Sequence, residues 1–149
     1  GRHQFRTFAL SRMKYILLLL LSACHMQKEA DSNNIQSLQN LWTLSSMADK
    51  DLDINGSNKL PTLKIDVADM RVSGNDGCNN IMGSIEALTA SEFKFGMLAG
   101  TKMMCQDMEV PRKLGQQLPE VRTYKLTALK LYFYDADGNE LLTYKKVDQ

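Results

Sequence analysis

Most of this chain repeats one spacing, in which apolar residues alternate with polar or small ones. In EFKFGML (92–98), Phe93, Phe95 and Met97 share one face, as in a strand with a single buried side. TLKID (62–66), MRVSG (70–74) and MGSIEAL (82–88) are similar short runs, with turn formers at 75–77 and 89–91 between them. IQSLQNLWTLSSM fits both periods over part of its length, and a strand is expected from about Leu41 to Met47. Tyr124, Leu126 and Ala128 alternate again, as do Leu129, Leu131 and Phe133, and Asp137-Gly138 predicts a hairpin within YDADGNELLTYKK. One stretch changes period. Val110, Leu114, Leu118 and Val121 recur at steps of 4, 4 and 3, Pro111 suits a first helical turn, and Pro119 stops the run. The spacing predicts a helix over 109–118, with Gly115 a weak spot in its middle. Strands, one helix, then more strands give an α+β class: a mainly antiparallel sheet, small barrel- or sandwich-like, with one principal α-helix.

At 149 residues and 44% hydrophobic, the chain has material for one core. The front of the chain is a different kind of sequence. MKYILLLLLSACHMQ (13–27) runs from Lys14 through an apolar block, Tyr15 to Leu21, to small residues ending at Cys24, which is the order of a secretory signal. The block is less than half of the ~20 apolar residues that a spanning helix needs. LSAC (21–24) resembles the bacterial lipobox, in which cleavage leaves a lipid-bearing cysteine as the first residue, so lipidation is expected at Cys24. The competing reading is an uncleaved amphipathic or core helix whose cysteine is incidental. The expected organisation is a signal over 1–23, a polar tether over 24–34 and a domain over 35–149. Residues 1–12 read as a longer signal start or as translation upstream of Met13. Position 25 is His rather than the Asp that resembles an inner-membrane retention signal, which favours the outer membrane.

Processing would change the charge. Four of the 18 basic residues, Arg2, Arg6, Arg12 and Lys14, precede the cut, leaving 14 against 17 acidic residues and a net charge of −3. With no basic run and only isolated aromatics, the mature chain has no footprint for nucleic acid. The two histidines, His3 and His25, both precede the domain, which argues against Ser-His-Asp or Cys-His catalysis and histidine-ligated zinc there. No cofactor is expected and no enzyme is read from these residues.

If Cys24 carries lipid, Cys78 and Cys105 remain, and an even pair in an oxidising compartment reads as a disulfide. Closing that 27-position loop is worth roughly 3–4 kcal/mol in chain-entropy models. Two independent free thiols, or a redox pair lacking C-x-x-C spacing, are the alternatives. Asp51, Asp53, Asn55 and Gly56 match the first half of an EF-hand loop, but Thr62 stands where the bidentate glutamate belongs, and a solvated acidic loop is the simpler reading. Met82, Met97, Met103 and Met104 are expected as core filler rather than as a soft-metal site.

GCNNIMGS (77–84), GTKMMC (100–105), the helix and the closing LKLYFYDADGNELLTYKK (129–146) resemble the META domain family, which includes the HslJ-type heat-inducible lipoproteins. The shared pattern is G-C-N-x-x-x-G, then T-x-M-x-C, then a helix and a terminal hairpin, and it covers about 38–146. The resemblance implies a compact β-rich fold with one helix and supports pairing of Cys78 with Cys105. It also implies that Gly77 and Gly83 are turn positions with positive φ, that Asn79 is a turn-capping side chain, and that Thr101 is a structural motif residue. The function it implies is a non-enzymatic, lipid-anchored envelope module, of a binding or stress-response kind, that engages an envelope protein or a small ligand. A thiol-redox protein using Cys78 and Cys105, and a weak calcium binder at Asp51, Asp53 and Asn55, are the competing readings.

Overall fold

The structure is a computed structural model that describes residues 35–48, 50–52 and 59–148. Its strands are β1 (Leu41–Met47), β2 (Lys50–Asp51), β3 (Thr62–Asp66), β4 (Arg71–Asn75), β5 (Asn80–Leu88), β6 (Phe93–Gly100), β7 (Thr123–Leu126), β8 (Lys130–Tyr134) and β9 (Glu140–Lys146). The helix α1 (Glu109–Gln117) runs into a 3-10 turn at Leu118–Glu120, where Pro119 ends regular α-helical bonding.

Every pairing is antiparallel, in the order β6-β5-β4-β3-β1-β9-β8-β7, with β2 attached to the end of β1. Alternation directs one face of each strand inward. Trp42 and Leu44 of β1, Leu63 and Ile65 of β3, Leu131 and Phe133 of β8, and Leu142 and Tyr144 of β9 are all buried. The sheet curls into a half-barrel, so that its two terminal strands approach each other at one end. Glu92 pairs with Thr123 there, Phe93 N–H donates to Arg122 O at 3.0 Å, and Tyr124 N–H donates to Ser91 O at 2.9 Å. Inside the curl, Phe133 of β8 lies 5.0 Å from Phe93 and 5.6 Å from Phe95 of β6, ring centre to ring centre. Edge-to-face contacts of this kind add to the burial of the rings themselves. The helix packs Pro111 and Leu114 inward, and the same stripe continues through buried Leu118 and Val121.

The Asp137-Gly138 turn forms as expected. Gly138 takes φ +83°, and the Asp135 Oδ1 accepts from the N–H groups of Asp137 and Asn139, each at 2.9 Å. The side chain and backbone of Asn139 together hold the Asp135 carboxyl below the usual carboxylate value. Leu129, by contrast, does not join the buried alternation of Leu131 and Phe133. It is exposed in the turn that Thr127 closes with Lys130.

The methionines correct the sequence expectation. Met82, Met97, Met103 and Met104 are 62%, 89%, 51% and 91% exposed, not core filler. For Met97 the cause is a bulge: between the pairs Gly83–Leu98 and Ile85–Phe95, β6 advances three residues against two of β5. The extra residue reverses the phase of β6, so Phe93 and Phe95 face inward while Met97 turns out and Leu98 packs against the core. Met82 pairs with exposed Ala99 on the outer face of β5, while Met103 and Met104 lie in the irregular segment after β6.

Two expectations follow for stability. A Cβ at Gly115 would meet nothing within 4 Å, so Gly115→Ala should stabilise the domain by roughly 0.5–1 kcal/mol in urea unfolding. Burial pushes the Tyr144 phenol well above its ordinary value of 10. The folded protein therefore keeps its proton where an unfolded tyrosine loses it, so this contribution is complete below about pH 10 and declines as the pH rises further. Melting temperatures of Tyr144→Phe should fall less steeply than wild type above that pH, and parallel curves would contradict the assignment.

Candidate functional site

The residues between β4 and β5 are held by their own side chains. Asn75 Oδ1 accepts from Gly77 N–H at 2.7 Å, and Asp76 Oδ1 accepts from Cys78 N–H at 2.8 Å and from Asn79 N–H. Short carboxylate and amide side chains can close such turns because they reach the backbone two or three residues on. Gly77 takes φ +102°, and a Cβ there would sit 3.2 Å from Lys59 O, so the turn packs closely against the segment leading into β3.

Asn79 works across the fold instead of within its turn. Its Oδ1 accepts from Thr101 Oγ1 at 3.0 Å and from Met103 N–H at 2.6 Å. Thr101 also returns bonds to Asn80: its Oγ1 accepts from Asn80 N–H at 3.2 Å, and its N–H donates to Asn80 O at 3.0 Å. Beside this clamp Cys78 and Cys105 form a disulfide, with their Cα atoms 5.9 Å apart. Together these ties fix residues 101–105, which have no regular secondary structure, onto the β4–β5 turn and so set where α1 begins. At that start Glu109 N–H donates to Asp107 Oδ1 at 2.8 Å.

The same ties position the walls of a cavity of about 550 Å³ beside α1. One wall is the helix, with Val110, Pro111 and Gln117. The other comes from Met47, Leu52 and the segment Leu60–Pro61, with Gly77 between them. The rim carries Lys50, Lys59 and Lys113 against Asp51, Asp107 and Glu109, and Lys113 Nζ lies 2.7 Å from Glu109 Oε1. Gln117 Oε1 is buried and has no hydrogen-bond partner among the described residues.

Comparison with known proteins follows the same outline. The META domain family model matches residues 34–148. The chain belongs to the META domain family. A protein solved by NMR superimposes with a TM-score of 0.58 at 26% identity, covering 76% of this chain and 93% of that one. An NMR structure of a protein from Burkholderia xenovorans has the same TM-score at 23% identity, covering 78% and 88%, and is a likeness of fold. No curated protein matches the chain.

Within this META domain the motif residues gather at one place, Gly77 to Asn79 on the turn and Thr101 to Cys105 on the facing segment. Two expected roles are corrected. Gly83 is not at a positive-φ turn; it lies inside β5, where a Cβ would come 2.4 Å from Met97 O, so close strand approach is what demands glycine. Asn79 does not cap its own turn, because Asp76 does that and leaves Asn79 free to reach the other segment. Asp51 is exposed in β2, while Cys24, Asp53 and Asn55 lie outside the described residues. Among the described residues no three His, Cys, Asp or Glu side chains group as metal ligands. Gln117 escaped the sequence reading, although its signal was present: it follows Val110 and Leu114 at steps of 4 and 3, a polar residue on an otherwise apolar helix stripe.

Removing the Asn79 acceptor leaves the Met103 N–H unsatisfied, so Asn79→Ala should cost roughly 1–3 kcal/mol in urea unfolding. Reducing the disulfide should cost roughly 3–4 kcal/mol in the same measurement. Equal stability of oxidised and reduced protein would show that the bridge is not a structural tie.

Proposed function

We propose that this META domain is a non-catalytic binding module of the bacterial envelope, held to the membrane by lipid on Cys24 and more readily placed at the outer than the inner membrane. The observation that carries the reading is how the motif is employed. Both domain cysteines are joined to each other, and the one buried motif amide, Asn79, has its oxygen occupied by two donors. The side chains with the greatest capacity for chemistry thus serve the scaffold, and the sequence has no histidine after His25 to act as a base. The LSAC segment supports the anchor, and the polar stretch before Ile35 gives it reach. A binding role under envelope stress fits a rigid domain on a tether.

Fractionation of cells tests the anchor. Wild-type protein should sediment with membranes and Cys24→Ala should appear in the soluble fraction, still folded by its melting curve. A membrane-bound Cys24→Ala protein would remove the lipid from the account.

A further inference from the structure

Methionine is among the side chains most often fully buried, yet in this domain four of them stand more than half exposed. An exposed thioether is a soft sulfur nucleophile that two-electron oxidants convert to the sulfoxide. We propose that Met82, Met97, Met103 and Met104 form an oxidant-consuming site, whose thioethers take oxygen from hypohalous acids before those reagents destroy the Cys78–Cys105 bridge. The inference goes beyond the binding-module reading and does not depend on it.

Three features support the assignment. The first is that the fold builds the exposure. The β6 bulge turns Met97 outward, and Met82, paired with Ala99, is its diagonal neighbour across β5 and β6. Both open onto one shallow hollow of the outer face, where Ser73, Ser84 and Ala99 are too short to cover them. The second is position. Met103 and Met104 lie on the segment that carries Cys105; Met103 is pinned through its N–H to Asn79, and its carbonyl oxygen is 3.6 Å from Cys78 Sγ. Two of the four thioethers therefore flank the bridge on its solvent side, while Cys78 is buried and Cys105 half-buried. The third is the lack of local competition. Both domain cysteines are bridged, so among the described residues no free thiol reacts first, and Trp42 and Met47 are buried in the core.

The chemistry is an oxygen transfer. The thioether sulfur attacks the chlorine of hypochlorous acid and hydroxide leaves; water then adds to the chlorosulfonium sulfur and chloride leaves. Sulfur gives up two electrons, chlorine accepts them, and the products are the sulfoxide, chloride and one proton. In a disulfide each sulfur draws electron density from the other, which makes it the poorer nucleophile. A sulfoxide is polar, so one formed inside a core disrupts packing. At these four positions it faces water, and the interior built on Phe93, Phe133 and Tyr144 is untouched.

The test treats the purified full chain with rising equivalents of hypochlorous acid and maps its peptides by mass without reduction. Sulfoxide should form at the four exposed positions at least about tenfold faster than at Met47. While they are consumed, the bridged Cys78–Cys105 peptide should stay intact and the melting temperature should not change. The comparison is a variant combining Met82→Leu, Met97→Leu, Met103→Leu and Met104→Leu. At the dose that just converts the four methionines of wild type, this variant should lose its bridged peptide and its folded fraction should fall. Oxidation of Met47 at the same rate, a lower melting temperature once the four are sulfoxides, or a bridge that survives equally well in the variant would overturn the proposal. Should the variant fail to fold, the order of events in wild type decides: methionines first and the bridge later supports the site, and the reverse order overturns it. Residue-by-residue mapping separates these positions from Met13 and Met26, which both proteins share.

Discussion

The curl of the sheet depends on a contact between strands at opposite ends of its order. Phe93 and Phe95 sit on β6, the first strand of the sheet, and Phe133 sits on β8, next to the last, yet their rings touch. An open sheet would leave these side chains facing water on one side, and each fully buried phenylalanine is worth roughly 1.5–3 kcal/mol. The backbone confirms the approach where Phe93 N–H donates to Arg122 O and Tyr124 N–H donates to Ser91 O across the seam. β6 and β7 stand at the two ends of the strand order, and the helix stripe of Pro111, Leu114, Leu118 and Val121 supplies apolar cover for the interior.

Placing a helix over a curled sheet requires a connection that does not wander. Residues 101–108 between β6 and α1 form no strand or helix, and their position is taken from the β4–β5 turn through the disulfide, Asn79 and Thr101. A covalent tie limits the freedom of the unfolded chain, and the buried amide satisfies a backbone donor that would otherwise be stranded. The consequence reaches the helix face. With its start held, α1 presents Val110, Pro111 and Gln117 at a set distance from Leu52 and Pro61, and the space between them stays open. Motif chemistry that suggests reactivity in the sequence thus becomes architecture in the fold, and the cavity beside it is what that architecture keeps in place.

Much of the fold was legible because local periodicity and turn chemistry act over a few residues. Leu41–Met47 and Thr62–Asp66 form strands where the alternation places them, α1 carries Pro111 in its first turn and ends just before Pro119, and Asp137-Gly138 turns the last hairpin. The methionines were misread for a physical reason. Alternation is a reliable guide only while register is kept, and one additional residue in β6 exchanges the inner and outer faces from Met97 onward. Gly83 was misread similarly, since a glycine required by a close strand neighbour and one required by a positive φ look the same in one dimension.

The amino-acid order alone determined the elements, the turns, the family pattern and the charge balance, because each depends on neighbours along the chain. Tertiary structure decided which distant residues meet: that Phe133 closes on β6, that Asn79 spends its oxygen on Thr101 and Met103, and that Pro111 of α1 comes to face Pro61 across one cavity. Those outcomes follow from sheet curl and bulge position, which arise from the summed packing of many side chains and leave no local mark in the sequence.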